Sequence, residues 1–477
     1  MMLSLPTECL DQGWLCLPHQ GSSAKVLLNE FGHGEVGQLT KPWNFYKCLT
    51  SIVDHIPGLL KTCFPTECLI NLAPIDINIA NTNDPMVKTY ATPSPNVSKK
   101  EFVIGGILCA VHGLEELPVQ CKHVSCLYVL HPRGNTMQSM KGIATSAVAD
   151  WNERLKNGKV STSQQDNGLI AVCFDQRNHG TREVDKLRNE AWRQGNPNHA
   201  QDMFSIFKNH GTREVDKLRN EAWRQGNPNH AQDMFSIFNG TARDVSQIMD
   251  FIGSYVFPDA DRHITNSLVL GVSLGAHAAW HCLLHEPRIR AAVIVIGCPD
   301  YVSLMSDRAR LSKLASWKDS SPPGSQFLGS KDFPQNLVDM VKIWDPAGLL
   351  FSQMDDSCLK EPIKPSTVRE PTKAEQKALK TIMRRCLAGK KILNLSGGSD
   401  KLVPYSRGEP FLTWLKKAIA SGGWFAEGRV SLEDIVFDGA GHEVTPAMIT
   451  EAIRFIGETL ATGDDEPETE AVFMSRI

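Results

Sequence analysis

The sequence predicts an α/β protein: a mainly parallel β-sheet flanked by helices. Short continuous apolar runs, such as those at 124–130 and 169–174, are typical of strands buried on both faces. Helical patterns separate these runs, and strands that alternate with helices indicate crossover connections within a parallel sheet. Several runs end in small, Gly-rich turns that carry polar side chains, which places the candidate chemistry at the carboxyl ends of the strands.

Each predicted element follows from its hydrophobic period. The predicted strands are 102–111 (one strand or a hairpin), 124–130, 169–174, 268–270, 291–296, 391–395 and 430–437. The predicted helices are 136–156, 241–252, 408–420 and 445–461, with amphipathic segments at 333–344 and 373–386. In the first helix Met140, Ile143, Ala147 and Trp151 share one face.

Breaks in this alternation predict the domain organisation. Residues 1–100 are expected to form an N-terminal extension and linker, partly disordered, because their apolar patches lack periodicity and their end is rich in turn formers. The core is predicted in two parts, 101–300 and 387–462. Residues 301–386 are expected to insert between them as a helical cap over the carboxyl edge of the sheet. Residues 463–477 are predicted to be a disordered acidic tail.

Composition excludes several classes of function. A chain of 477 residues is long enough for one large domain with additions or for two domains, and its net charge of −3 favours neither nucleic-acid nor anionic-membrane binding. No apolar run reaches the roughly 18 residues of a membrane span, and the amino terminus lacks the pattern of a secretory signal. The 13 cysteines form no Cys-x-x-Cys pair, which predicts free thiols in a cytoplasmic protein without a metal site.

An exact repeat lies in the middle of the chain. Residues 178–207 are identical to residues 209–238, with Lys208 between the two copies. Only the first copy follows a predicted strand and only the second leads into a predicted helix, so about 31 residues must leave the ancestral path. We expect the redundant segment of 178–238 to lie at the surface beside the site. The repeat is either a recent duplication or a faulty gene model, and we favour the second.

Ser273 is the predicted nucleophile. It is the centre of Gly271-Val272-Ser273-Leu274-Gly275, between an apolar run and an apolar helical pattern. A turn this tight needs small flanking residues and exposes the serine oxygen at the carboxyl end of the strand. The N–H of Leu274 then lies at a helix N-terminus, where it can stabilise an oxyanion. The alternative is a Gly-rich turn with a buried serine.

Asp400 and His442 are the predicted acid and base. Each follows a predicted strand within a turn of small residues, and with Ser273 they give the chain order serine, acid, histidine. A serine needs a base to take its proton, and the base needs an acid to orient it. As alternatives, Asp400 could be a turn residue and His442 a helix cap. Asp300 and Asp345 are competing acids without a Gly-rich turn.

The turn after 124–130 is the candidate for a second oxyanion donor. Pro132 has no N–H, so Arg133 is the preferred donor and Gly134 the next. An ordinary turn is the alternative. His131 in this turn and His179 after the following strand are candidate pocket residues.

Other polar residues near these turns are interpreted as structural. Asp175 and Arg177 are expected to pair and to brace the loops around the site. His277, His281 and His285 follow the nucleophile at helical spacing and are interpreted as packed helix residues rather than catalysts.

The order of these motifs resembles the α/β-hydrolase superfamily over about residues 101–460. The motifs are His-Pro-Arg-Gly, Asp-x-Arg-x-His-Gly, Gly-x-Ser-x-Gly, Gly-x-x-Asp-x-x-Val-Pro and Gly-x-Gly-His. Residues 175–180 and 189–197 further resemble a group of fungal members. The resemblance implies the α/β-hydrolase fold, Ser273 as nucleophile, His442 as base, Asp400 as acid and a covalent acyl-enzyme. His-Pro stands where many members have His-Gly, which leaves the identity of the oxyanion donor open.

These patterns together predict a serine hydrolase. Its expected substrate is a small-molecule carboxylic ester, with thioesters and amides as alternatives, and no metal or organic cofactor is implied. Acyl transfer on the same triad is an alternative, since a drier cap would favour an acceptor other than water. A non-catalytic ligand-binding protein of the hydrolase fold is another. The sequence specifies no oligomeric state.

Overall fold

The computed structural model describes residues 85–86, 94–191, 226–354 and 368–462. The chain divides into two compact units, Met1–Ile79 and Ala80–Ile477. The first unit and the predicted acidic tail at 463–477 lie outside the described residues, so the fold presented here belongs to the second unit.

The described residues form a sheet of eight strands in the order β1-β2-β4-β3-β5-β6-β7-β8. The strands are Lys99–Ile104 (β1), Ile107–His112 (β2), His123–Leu130 (β3), Asn167–Phe174 (β4), His263–Val272 (β5), Ile289–Val295 (β6), Lys391–Gly397 (β7) and Ser431–Phe437 (β8). β2 is antiparallel to β1 and to β4, and every pair from β4 to β8 is parallel. The mainly parallel sheet is confirmed. The first predicted strand is a hairpin with a Gly105-Gly106 turn, in which both residues have positive φ.

Helices connect the parallel strands and cover both faces of the sheet. They are Lys141–Lys156 (α1), His230–Val256 (α2), Leu274–His285 (α3), Tyr301–Leu311 (α4), Ala315–Lys318 (α5), Gln335–Trp344 (α6), Pro346–Phe351 (α7), Lys373–Cys386 (α8), Tyr405–Ile419 (α9) and Pro446–Thr462 (α10). α2 begins well before its predicted start at residue 241. Met234, Phe235 and Phe238 extend its apolar face into the core, and this burial carries the helix back into the repeat.

Alternate residues of the central strands enter two separate apolar cores. In β3, Cys126 and Tyr128 point into one core, while Leu127 and Val129 point into the other. The core around Tyr128 includes residues of α2, α3, α9 and the helices α4 to α8 of 301–386. The core around Leu127 includes residues of α1 and α10. The buried apolar runs of the sequence are thus strands covered on both faces, as predicted.

Two residues of the predicted linker contact the core. Met86 is buried in the core that contains α1 and α10. The N–H of Val444 donates to the carbonyl oxygen of Pro85 (2.7 Å). Pro85 and Met86 of the 1–100 region therefore belong to the folded unit.

Residues 301–386 are helical where they are described. α4 to α8 lie between β6 and β7 in the chain. The carboxylate of Asp345 accepts N–H bonds from Gly348 at the start of α7 (2.9 Å) and from Tyr301 at the start of α4 (3.1 Å). Asp345 therefore caps α7 and fastens it to the beginning of the insertion.

The strand order brings the ends of β3 and β5 together. The chain passes from β3 to β4 on one side and then returns to β5 on the other side of β3. Such a reversal opens a crevice at the carboxyl ends of the two strands, which is where ligands bind in open α/β sheets.

Two further properties of the described residues bear on the sequence predictions. None of their helices combines the length and hydropathy needed to cross a membrane. Their cysteines are buried free thiols.

Candidate active site

Ser273 lies in a sharp turn between β5 and α3. Its backbone has φ 53° and ψ −109°, a conformation that is rare for residues other than glycine. A Cβ atom on Gly271 would collide with the backbone of Gly275, and one on Gly275 would collide with the carbonyl oxygen of Leu130. Only glycine fits at these two positions, so the small residues predicted on both sides of the serine are required by close backbone contact.

Ser273, His442 and Asp400 form one hydrogen-bonded chain. The Oγ of Ser273 lies 3.0 Å from Nε2 of His442, and Nδ1 of His442 lies 2.8 Å from Oδ2 of Asp400. A carboxylate only accepts, so Nδ1–H donates to Asp400 and Nε2 is left to accept the serine proton. The structure therefore brings together three residues that lie far apart in the sequence, in the geometry of a nucleophile, a base and an orienting acid.

The surroundings of Asp400 keep it charged. Its Oδ1 accepts the N–H groups of Leu402 (2.8 Å) and Val403 (2.9 Å). Burial acts to raise the pKa of Asp400, but the hydrogen bond and charge interaction with His442, together with these N–H groups, hold the pKa below its usual range. The competing acids have other roles, since Asp345 caps α7 and Asp300 caps α4 through the N–H of Ser303 (3.0 Å).

The strand order, the antiparallel β2 and the Ser273 turn decide the architecture. The chain has the α/β-hydrolase fold. Within this hydrolase fold the serine follows β5, the acid follows β7 and the histidine follows β8.

Known proteins are similar to this chain only at low sequence identity. No protein-family model and no curated protein matches the sequence. Among solved structures, TT1662 from Thermus thermophilus is similar at 17% identity, 77% coverage of this chain, 99% of its own and a TM-score of 0.39. An arylesterase is similar at 10% identity, 88% coverage of this chain, 98% of its own and a TM-score of 0.37. An acylaminoacyl peptidase from Pyrococcus horikoshii is similar at 10% identity, 78% coverage of this chain, 43% of its own and a TM-score of 0.38.

The turn after β3 lies against the nucleophile turn. A Cβ atom on Gly275 would also lie 2.8 Å from the carbonyl oxygen of His131. The N–H of Asn135 donates to the carbonyl oxygen of Pro132 (3.3 Å), and Gly134 has a positive φ of 75°. This turn bond uses neither the N–H of Arg133 nor that of Gly134. Opposite them, the N–H of Leu274 belongs to the first turn of α3, where N–H groups have no partner within the helix.

The buried side chain of His131 links this turn to the loop after β4 by hydrogen bonds. This side chain is fully buried, with Nδ1–H donating to the carbonyl oxygen of Pro132 (2.8 Å) and Nε2 accepting the N–H of Gln176 (2.9 Å). Burial, with a contribution from neighbouring His179, lowers the pKa of His131 to about 4 and keeps it neutral at pH 7. Both ring nitrogens are occupied, so the geometry leaves His131 no nitrogen for a ligand.

His179 differs from His131 in having a buried nitrogen without a partner. The two rings meet edge to face with centroids 5.3 Å apart. Nδ1–H of His179 donates to the carbonyl oxygen of Arg177 (2.9 Å), whereas its buried Nε2 has no hydrogen-bond partner among the described residues. Burial lowers the pKa of His179. A neutral acceptor is therefore available beside the candidate oxyanion turn.

The expected pairing of Asp175 with Arg177 is wrong. Asp175 accepts the N–H groups of Met137 (2.7 Å) and Thr181 (2.8 Å), which ties the segment after the oxyanion turn to the loop after β4. Arg177 instead pairs with Asp244 of α2 (2.8 Å), which is in another part of the sequence. Both residues brace the loops near the site, as expected, but through partners that the sequence pattern did not indicate.

Sequence reasoning missed Arg308 and His230. Arg308 lies on α4, and its Nη2 donates to the carbonyl oxygen of Leu402 in the Asp400 loop (3.2 Å). Its Nη1 lies 3.4 Å from Nε2 of His230 at the start of α2. No local pattern marks these residues, because the contact joins three elements that are distant in the sequence.

The described part of the repeat combines both copies. Residues 178–191 come from the first copy and residues 226–238 from the second. The N–H of Asn227 donates to the carbonyl oxygen of Ala191 (3.1 Å), so the fold joins the two copies directly. The predicted surface position of the redundant segment concerns residues 192–225, which lie outside the described residues.

A cavity at the opposite edge of the sheet is unrelated to the triad. It measures about 240 Å³ and is lined by residues that include Asn167, Asn266 and Lys391. Asn167 and Lys391 begin β4 and β7, so this cavity lies at the amino ends of these strands, whereas Ser273, Asp400 and His442 follow the carboxyl ends of β5, β7 and β8. It is not a substrate pocket for Ser273.

Proposed function

We propose that this protein is a serine hydrolase that cleaves carboxylic esters through Ser273, His442 and Asp400. The observation that carries the proposal is the continuous hydrogen-bonded chain from Asp400 to His442 to Ser273 at the carboxyl edge of the sheet. Nucleophilic catalysis needs this arrangement, in which a base contacts the serine and an acid orients the base.

In the first half-reaction the Oγ of Ser273 attacks the ester carbonyl while Nε2 of His442 takes the serine proton. Asp400 holds the imidazole in the productive tautomer and stabilises its charged form. The N–H of Leu274, with that of Arg133 or Gly134, donates to the developing oxyanion. The carbon–oxygen bond to the alcohol then breaks, and the alcohol leaves with the proton from His442.

In the second half-reaction water replaces the alcohol. His442 takes a proton from water, the hydroxide attacks the acyl carbon, and the bond to Oγ breaks. Ser273 recovers its proton from His442, and the carboxylic acid leaves. Thioesters and amides fit the same sequence of bond changes, with a thiol or an amine as the leaving group.

Labelling with a fluorophosphonate, combined with turnover of a p-nitrophenyl ester series, tests the proposal. We expect the protein to be labelled and to release p-nitrophenol, and Ser273→Ala to abolish both. Ser236→Ala is the matched control, since Ser236 lies exposed on α2 and its hydroxyl donates only to the carbonyl oxygen of Asp233. Labelling that persists in Ser273→Ala contradicts the assignment, and ligand binding without turnover favours the non-catalytic alternative.

A further inference from the structure

Two arginine side chains approach the triad from different elements. Arg133 belongs to the turn after β3, and its Nη1 donates to the carbonyl oxygen of Asn189 (2.9 Å). Arg308 belongs to α4, and its Nη2 donates to the carbonyl oxygen of Leu402 (3.2 Å). Leu402 in turn donates its N–H to Asp400, so the guanidinium of Arg308 is fixed on the loop of the acid, while that of Arg133 is fixed on the loop after β4.

Consecutive residues of one loop hold both groups. The carbonyl oxygen of Asn189 accepts Arg133 directly, while that of Glu190 accepts Nδ1–H of His230 (2.9 Å). With its Nδ1 donating, the His230 ring presents Nε2 as an acceptor to Nη1 of Arg308, 3.4 Å away. The two guanidinium groups are therefore supported from the same place, one directly and one through His230.

Carboxylates act on these two positive charges from a distance, Glu190 on Arg133 and Asp400 and Asp307 on Arg308. Among the described residues neither Arg133 nor Arg308 forms an ion pair, and the carboxylate next to Arg308 in sequence, Asp307, is paired with Arg310 instead (2.7 Å). Nε of Arg308 is buried without a hydrogen-bond partner in the described part of the chain. Glu190 attracts Arg133 electrostatically, but its Oε2 is itself buried and unpartnered.

The electrostatics agree with two cations held close together. Burial and, to a smaller extent, the charge of Arg308 lower the pKa of Arg133 to about 10, against a partial offset from Glu190. Burial also lowers the pKa of Arg308. Both groups remain protonated at pH 7. The two guanidinium groups are partly buried and contact carbonyl oxygens or a histidine rather than a carboxylate, so a bound anion would offset part of their desolvation cost.

We infer that Arg133 and Arg308 bind a carboxylate of the substrate, so that the preferred substrate is an ester carrying a second, negatively charged group. The inference rests on the proposed function, because it describes substrate recognition at the same site. A guanidinium presents two parallel N–H groups that match a carboxylate. Arg308 is then a specificity residue, and the side chain of Arg133 adds binding to the role proposed for its N–H.

Two pairs of probe esters test this inference. The first pair shares a p-nitrophenyl leaving group and compares the monoester of glutaric acid with the valerate ester, which places the charge on the acyl part. The second compares 4-carboxyphenyl butyrate with phenyl butyrate, which places the charge on the alcohol part. We expect the unmodified protein to favour the charged member of one pair by about tenfold or more in kcat/KM. A preference for the neutral member in both pairs, or no preference in either, overturns the inference.

Variants separate substrate binding from loop support. We expect Arg308→Gln to lower the charged-to-neutral ratio of kcat/KM about tenfold, and Arg308→Lys, which keeps the charge, to retain part of the preference. Arg310→Gln is the matched control, because Arg310 lies two positions away on the same helix and this substitution removes the same charge. In Arg310→Gln the charged-to-neutral ratio of kcat/KM is expected to stay unchanged. An equal fall of the ratio in Arg310→Gln, or an unchanged ratio in Arg308→Gln, contradicts the role of Arg308.

Two additional measurements identify the ligand chemistry and isolate this inference from the proposed function. Free glutarate is expected to inhibit hydrolysis competitively, and stronger inhibition by inorganic phosphate overturns the carboxylate assignment. Fluorophosphonate labelling is followed in every variant. If the unmodified protein is not labelled, the proposed serine hydrolase activity is refuted. If it is labelled but shows no preference for charged esters, only the carboxylate-binding role of the two arginines is refuted.

Discussion

The two copies of the repeat have the same sequence but contribute different parts of the described fold. The first copy supplies residues 178–191, which carry the loop that holds Arg133, and the second supplies residues 226–238, which begin α2. The flanking elements explain this division, since the first copy follows β4 directly and the second is continuous with α2. The role of each copy is therefore fixed by the elements that it joins, and identical residues in the two copies are natural controls for each other.

The largest difference in stability effect between the copies is expected at Phe238, which corresponds to Phe207 in the first copy. Phe238 is 1% exposed and packs against Phe235, His281 and Tyr301, with ring centroids 5.0, 4.9 and 5.4 Å away. Phe238→Ala should lower the free energy of unfolding by about 3–5 kcal/mol, because it leaves a cavity in the core. The sequence predicts a surface position for the segment that contains Phe207, which lies outside the described residues, so the same substitution there should cost less than about 0.5 kcal/mol. Urea unfolding of both variants measures this, and equal costs would contradict the assignment of the copies.

Deletion of one copy should have a smaller effect. Removing residues 192–222 leaves Trp223, Arg224 and Gln225 between Ala191 and Gly226, and restores a single copy. The hydrogen bond from Asn227 to Ala191 can then close over a short loop. Each halving of loop length contributes about 0.6 kcal/mol, so we expect stability to rise by about 1–2 kcal/mol.

Thermal unfolding and ester turnover check the deletion. Turnover is expected to stay within about twofold of the unmodified protein. A protein that no longer folds, or that loses its activity, would show that the second copy supplies more than the residues described.

The smallest difference should appear as a pH dependence of stability. Burial lowers the pKa of His179 in the folded protein. As the pH falls below about 6.5, the unfolded chain takes up a proton that the folded chain does not, so stability falls toward acid, by at most about 1.4 kcal/mol per pH unit for one group. His179→Asn should make this fall less steep, whereas His210→Asn, in the segment that the sequence predicts at the surface, should leave it unchanged. Urea unfolding between pH 7.5 and pH 5 distinguishes them, and identical slopes for the two variants would contradict the burial of His179.

Local patterns predicted most of the sheet and the residues of the triad. The apolar runs and the Gly-rich turns are short-range features, so the positions of β3, β4, β5, β7 and β8 followed from the sequence. Ser273, Asp400 and His442 could be chosen because each directly follows such a strand. The close contacts of Gly271 and Gly275 give the physical reason why that local signal was reliable.

Contacts through space could not be predicted in this way. The pairing of Arg177 with Asp244 and the position of Arg308 on the Asp400 loop join residues from separate elements. α2 begins before the predicted residue 241 because burial of Phe235 and Phe238 in the core extends the helix into the repeat. Where tertiary packing decides the structure, a local periodic pattern does not show which distant residue will make the contact.

The central claim is that Ser273 becomes acylated during turnover. Intact mass measurement of the protein, quenched in acid during hydrolysis of a p-nitrophenyl ester and followed by peptide mapping, tests this most directly. The account predicts one acyl group per chain, on the peptide that contains Ser273, and none in Ser273→Ala. Acylation of a different residue, or turnover by Ser273→Ala at the rate of the unmodified protein, would contradict it.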